Sequence, residues 1–338
     1  MAVGLDAAIA ATDGQVADRA PRSCSSVLAM LVLVLMAVLA SGCATQTPAL
    51  LAQPPAGLPS RVELADTPFF PDDSHFCGPA ALATALSAAG LRTRPDELVG
   101  RVFLPGREGS LQIEMLAGAR RSGAVATLIP GTLEALLREL AAGHPVVVLQ
   151  NLGLSWAPSW HYAVAVGYDL DAGVMLLRSG PMKRQELALR TFEHTWKRGG
   201  HWAFVTLPPG TLAATASEAD ATAALVAFER SAPPAAAATA YRAGLQRWPR
   251  NYTLQMGLGN ASYAAGDLAG AEAAFARAAD THEQAAAHNN HARVLLELGR
   301  PAAARQAAER GLAVAGPLRA TLLDTLQAID AAMPAAAR

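Results

Sequence analysis

Pro68-Phe69-Phe70-Pro71-Asp72-Asp73-Ser74-His75-Phe76-Cys77-Gly78-Pro79-Ala80-Ala81-Leu82 joins a polar, turn-forming approach to an alanine-rich run that continues to Ala89 and stops at Gly90. Proline suits the first turn of a helix, where its missing N–H would have had no partner, so the pattern predicts a helix over 79–89. Cys77 then stands at a helix N-terminus, against outward-pointing backbone N–H groups and the positive end of the helix dipole. Such a setting lowers a thiol pKa and offers donors to an oxyanion.

A thiol becomes a nucleophilic catalyst only beside a base. The best-placed base lies in Trp160-His161-Tyr162-Ala163-Val164-Ala165-Val166-Gly167-Tyr168, where a histidine opens an apolar strand whose sheet would fix its backbone. His201, following Gly199-Gly200 at the start of a later strand, is a rival base. His75 reads as facing solvent or the rim of a cleft. Trp156 and Trp160 are candidates to line a groove, although packing is the default role of tryptophan. Taken singly, Cys77 reads as a small buried hydrophobe and His161 as a satisfied strand-end histidine. Their joint occurrence is what makes a site.

Around these two residues, Phe76-Cys77-Gly78-Pro79-Ala80-Ala81-Leu82 and His161-Tyr162-Ala163-Val164-Ala165-Val166-Gly167-Tyr168-Asp169 resemble the motifs of the double-glycine leader peptidases and their papain-like relatives, peptidase family 39. The resemblance spans about Thr67 to Leu207. It implies an α+β papain-like cysteine peptidase domain in which Cys77 attacks a peptide carbonyl and His161 shuttles the proton, with no metal or cofactor. Two positions depart from the family pattern. Relatives place a Gln shortly before the cysteine to line the oxyanion hole, whereas this chain has Asp72 or Asp73, whose carboxylate repels an oxyanion unless protonated. That role falls to backbone N–H groups, chiefly that of Cys77. Relatives also end the strand after the histidine strand with Asp-Pro, which orients the imidazole; here the end reads Leu177-Arg178-Ser179-Gly180. Ser179 can accept a hydrogen bond but brings no charge to an imidazolium. Asp169 and Asp171 read as solvated residues of a hairpin loop. A Cys-His pair also serves amidases and acyltransferases acting on cell-wall peptides, but the Cys-Gly-Pro-Ala-Ala context fits the peptidases better.

The surrounding pattern is mixed. Helices are expected over 79–89, over 111–121 and after Thr132, which is an N-cap with Glu134 in the first turn. Strands are expected over 145–150, 161–168, 174–177 and 202–207, with Asp169 to Gly173 as the hairpin loop joining the second and third. Pro208-Pro209-Gly210 breaks this pattern, and helical periodicity follows. Tyr241 falls 34 residues before Phe275, as Gly244 does before Ala278, and Gly266-Asp267 falls 33 before Gly299-Arg300. A period near 34 with small residues, glycine turns and aromatic knobs resembles tetratricopeptide repeats: two good units with a degenerate one before them. The competing reading is a generic alanine-rich helical bundle.

At the N-terminus, Arg19 and Arg22 precede the apolar run 27–39, and Leu39-Ala40-Ser41-Gly42-Cys43 follows. The run falls short of the ~20 apolar residues of a membrane span and has the basic, apolar, small-residue order of an export signal. It resembles a bacterial lipobox, which implies cleavage before Cys43 and lipid attachment to its thiol; an uncleaved anchor helix is the competing reading. Ala44 after the cysteine resembles the outer-membrane sorting pattern. The expected organisation is a lipoprotein signal peptide over 1–42, a Pro/Ala-rich tether over 43–60, the peptidase domain over 61–209 and helical repeats over 210–338. The expected location is the bacterial cell envelope, lipid-anchored and facing the periplasm. A net charge of -1, with 16% charged residues, gives no footprint for nucleic acid. The expected partners are therefore a peptide or protein substrate, a protein docking on the repeats, and the membrane through the lipid.

Overall fold

The computed structural model describes residues 46–72 and 75–333. Helix α1 (Gln46–Ala52) and strand β1 (Arg61–Glu63) precede the cysteine helix α2 (Cys77–Ala88). Next come α3 (Pro95–Val102), the short strands β2 (Phe103–Leu104) and β3 (Gly109–Ser110), α4 (Gln112–Arg121), β4 (Val125–Leu128) and α5 (Leu133–Ala141). The remaining strands are β5 (Val146–Asn151), β6 (Trp160–Asp169), β7 (Val174–Ser179), β8 (Met182–Ala188) and β9 (Ala203–Leu207), with α6 (Leu189–Arg198) before the last. Helices α7 (Glu218–Glu229), α8 (Pro234–Arg247), α9 (Tyr252–Ala264), α10 (Leu268–His282), α11 (Ala285–Glu297), α12 (Pro301–Ala313) and α13 (Arg319–Ala332) complete the chain.

The main sheet is antiparallel in the order β4-β9-β5-β6-β7-β8, with β1 added beside β6. Alternation along the strands supplies two apolar faces. Val146, Val148, Ala163, Ala165, Leu177 and Val205 meet the leucines of α5 and Phe192 and Trp196 of α6. Val147, Leu149, Tyr162, Val164, Leu176 and Phe204 meet Leu82 and Leu86 of α2, with α3 and α4 beyond. Helices thus cover both sides of the sheet, and both layers are apolar. Thr132 caps α5 as expected, its Oγ1 accepting from the Ala135 N–H at 3.1 Å. The Asp169 to Gly173 turn joins antiparallel β6 and β7 as expected, with Asp169 Oδ1 accepting from the Ala172 N–H.

One expectation is corrected. The stretch 43–60 is not an extended tether throughout, because Gln46–Ala52 is helical and docked. The Glu193 carboxylate of α6 accepts from the Thr47 N–H at 2.8 Å and from Thr47 Oγ1 at 2.6 Å, while Leu50 enters the core against α5. A donor-poor, Pro-containing heptapeptide would not form a helix alone; the buried carboxylate that caps it comes from 146 residues away. The lipobox, the apolar run and Cys43 lie outside the described residues. No helix among the described residues is long and apolar enough to cross a membrane.

Beyond Gly210, which adopts φ +103°, the chain folds back on the sheet domain before the helices begin. Buried Glu139 of α5 accepts from the N–H groups of Ala214 and Thr215 and from the Thr215 hydroxyl, and Arg247 of α8 donates to the carbonyls of Ala213 and Ala214. Val125 of β4 packs into the core formed by α7 and α8, so the repeats cover one edge of the sheet. Each helix from α7 to α13 packs on its neighbours in sequence. Close approach rests on glycine: a Cβ on Gly257 would lie 2.4 Å from the Tyr241 ring, and one on Gly259 2.4 Å from the Phe275 ring. The aromatics aligned 34 residues apart in the sequence are therefore the knobs that fill the gaps between backbones.

Candidate active site

Cys77 is the first residue of α2, with Pro79 in its first turn. A Cβ on Gly78 would lie 2.3 Å from Ser110 Oγ, so only glycine lets the β2–β3 ribbon close over the helix start. The thiol is partly buried. His161 is the second residue of β6, paired with Gln150 of β5. Cys77 and His161 line one cleft of about 820 Å³, together with His75, Ser110, Trp160 and Tyr162. Among the described residues no hydrogen bond joins the thiol to the imidazole, a separation common before substrate binds.

The other side of the ring has a defined partner: Ser179 Oγ, at the end of β7, lies 2.9 Å from His161 Nε2. Ser179 is buried, so the contact is sheltered from water. Asp72 occupies the neighbouring wall. Its N–H donates to the Gly180 carbonyl at 3.1 Å, and it lines a small cavity with Cys77, Ser179 and Arg178. Arg178 is itself spent on the carbonyls of Ala65, Thr67 and Lys183. Asp73 lies outside the described residues.

Electrostatics correct one expectation. Burial pushes the Cys77 thiol above its ordinary value, and the charge of Asp72 adds to the rise. The N–H groups of Tyr162, Gly78 and Cys77 act the other way without overcoming it. Burial likewise holds the His161 imidazole below its ordinary value, with Asp72 opposing. The helix start therefore does not by itself make a thiolate, because desolvation of the charged form outweighs its N–H donors. Burial thus favours the neutral form of both the thiol and the imidazole.

The remaining sequence candidates sort cleanly. His201 adopts φ +52°, packs edge-on against Trp196 at 4.9 Å and does not line the cleft, which removes the rival base. Asp169 and Asp171 sit at the far end of β6, away from Cys77. Trp160 lines the cleft and Trp156 projects into solvent. Sequence reasoning missed the opposite wall, Arg107 to Gln112, and the floor at Arg198 to Gly200. The closely spaced Gly106 and Gly109 were the available signal for the first. Gly199, whose Cβ would meet the Leu149 carbonyl at 2.1 Å, was the signal for the second.

Residues 61–204 match the model of the Peptidase_C39 like family, and residues 221–286 match a tetratricopeptide repeat model. Among solved structures, the chain is 18% identical to a candidate C39-like peptidase from Bacillus anthracis, over 44% of this chain and 97% of that one, with a TM-score of 0.38. It is 16% identical to a double glycine motif protease from an AMS/PCAT transporter, solved in complex with the leader peptide, over 43% of this chain and 93% of that one, with a TM-score of 0.33. No curated protein matches it. The chain thus carries an α/β sheet domain similar to the Peptidase_C39 like family, followed by an all-helical region with tetratricopeptide repeats.

Proposed function

We propose that this protein is an envelope lipoprotein, anchored through Cys43 and facing the periplasm, whose Cys77 and His161 cleave a peptide or protein that the helical repeats help to bind. The observation that carries the reading is the shared cleft with Ser179 Oγ 2.9 Å from His161 Nε2. With Nε2–H donating to Ser179, Nδ1 keeps its lone pair and takes the Cys77 proton as sulfur attacks the carbonyl carbon. The carbonyl electron pair moves to oxygen, where the Cys77 N–H at the helix start is available as a donor. Collapse expels the amine, which leaves with the proton from Nδ1, and water attacks the thioester with Nδ1 again as base. The acid is released and the thiol restored. Because burial disfavours charging either partner, His161 acts as a general base during attack rather than as half of a standing ion pair.

The departures at Asp72 and Ser179 favour a second reading, a peptide-binding scaffold lipoprotein that keeps the fold without turnover. Ser179 supplies no charge to an imidazolium, and burial opposes charging either partner. Incubating the full-length protein with envelope extract and sequencing the new peptide termini separates the two. Turnover predicts termini that vanish with Cys77→Ala and with His161→Ala; identical termini for wild type and Cys77→Ala would leave the scaffold reading standing.

A further inference from the structure

Between β5 and β6 the chain runs Leu152-Gly153-Leu154-Ser155-Trp156-Ala157-Pro158-Ser159-Trp160 without one charged residue. Leu152, Leu154, Trp156 and Trp160 are 52%, 56%, 83% and 56% exposed. This is a built protrusion. Asn151 Oδ1 accepts from the N–H groups of Gly153 and Ser159 at 2.9 Å, Leu152 N–H donates to the Ser159 carbonyl, and Leu154 and Ala157 exchange both backbone bonds. Ser155 and Trp156 form the tip. Arg198 fixes the base by donating to the Asn151 carbonyl.

Gln46, at the start of α1, also sits at this end of the sheet. Phe204 pairs with Leu128 at the end of β4 and with Val147 of β5, so the segment after β4 and the β5–β6 connection emerge together. Gln46 docks on that segment, its Nε2 donating to the Gly131 carbonyl and its Oε1 accepting from the Leu133 N–H. Cys43 precedes Gln46 by three residues in the sequence, a length of chain that reaches at most roughly 10 Å. Lys197, exposed in the last turn of α6, adds a cation beside it.

We infer that the Leu152–Trp160 protrusion inserts into the bilayer surface beside the lipid anchor and seats the cleft mouth on the membrane. An uncharged Leu/Trp tip suits the interface, where tryptophan places an apolar body among lipid chains and its N–H among headgroups. Lys197 meets anionic headgroups there. A short lipidated lead and a second contact together hold a protein more firmly than a lone acyl chain does. Since Trp160 joins the protrusion to His161 and lines the cleft, the substrates favoured are polypeptides tethered to, or lying on, the same membrane.

This inference rests on the anchoring proposed above, and the test separates the two. Full-length mature protein is reconstituted in vesicles of phosphatidylethanolamine and phosphatidylglycerol with brominated acyl chains, and the fluorescence of Trp156→Phe is subtracted from that of wild type. The expected result is loss of the Trp156 emission relative to unbrominated vesicles, retained in Cys77→Ala, so that peptidase failure leaves it untouched. Mass analysis of the N-terminal peptide reads the lipid on Cys43. A lipidated protein whose Trp156 emission is unquenched overturns the inference while anchoring stands. An unmodified Cys43 overturns both. Protection of Trp156 by a cleaved peptide but not by vesicles would make the protrusion a substrate wall instead.

Discussion

The sheet domain and the repeats stabilise themselves in opposite ways. In the sheet domain, large side chains such as Trp196, Phe192, Tyr168 and Phe204 are fully buried and meet partners far away in sequence. In the repeats the core is mostly alanine and glycine, the backbones close in on each other, and Tyr241 and Phe275 fill what remains. The first design gives a site assembled from distant segments and held by long-range strand pairing. The second gives a stack in which each helix answers chiefly to its neighbours. Breaking one half should therefore leave the other readable, except where a group belongs to both.

Glu139 is such a group, and its loss is expected to have the largest effect. It is fully buried on α5 and receives the Ala214 and Thr215 donors as well as His144 Nδ1 at 2.7 Å. Burial alone raises its pKa, yet the His144 and Thr215 bonds and the Ala214 N–H hold it below the ordinary 4.5. A depressed carboxylate contributes stability that is present above the ordinary value and lost as pH falls through the folded one. Glu139→Ala leaves several buried donors unmatched, at a cost on the order of 3 kcal/mol. Calorimetry should show the melting curve of the variant at pH 7 splitting into two transitions, and acid is expected to split that of the wild type in the same way. A single transition at the original temperature would mean that this carboxylate does not couple the halves.

A smaller and more local effect is expected at Gly259. Alanine gains about 1 kcal/mol over glycine inside a helix, but overpacking a filled site costs about 1–3 kcal/mol. With a Cβ 2.4 Å from the Phe275 ring, the clash wins. Gly259→Ala should lower the melting temperature of the repeats and leave Cys77 alkylation rates alone, and Phe275→Leu in the same chain should recover part of the loss. A stabilised single variant would show that the ring has room to move.

The same contrast explains what was legible in the sequence. Apolar alternation marked β5, β6, β7 and β9, and the 34-residue spacing marked the repeats, because both are local patterns of burial. Strand β8 was not legible: Met182-Lys183-Arg184-Gln185-Glu186-Leu187-Ala188 is an edge strand whose polar side chains face water, so nothing in its composition announces pairing. Helix α1 was hidden because its N-terminal cap, Glu193, is remote in sequence. Cys77 and His161 could be read from their flanks, and Ser179 only through resemblance, since its value lies in a 2.9 Å contact across two strands. The direction of the thiol pKa was read wrongly. A helix N-terminus is visible in Gly-Pro-Ala-Ala, whereas the burial that outweighs it depends on how β3 and β6 close over the helix.

That burial gives the subtlest way to separate the halves, a pH shift with no change in stability of the repeats. Asp72 raises both the Cys77 and the His161 pKa, working with burial at the thiol and against it at the imidazole. Removing its charge in Asp72→Asn should therefore lower both values together. His161 must be neutral to accept the thiol proton, so the acid limb of kcat/KM for the proposed cleavage should move toward acid. Iodoacetamide reacts with the thiolate, so the pH profile of Cys77 alkylation moves the same way. An Asp72 that only braces the loop through its N–H bond to Gly180 would instead lower the rate at every pH and leave both midpoints in place. Movement of one midpoint without the other would mean that its charge reaches only one member of the pair.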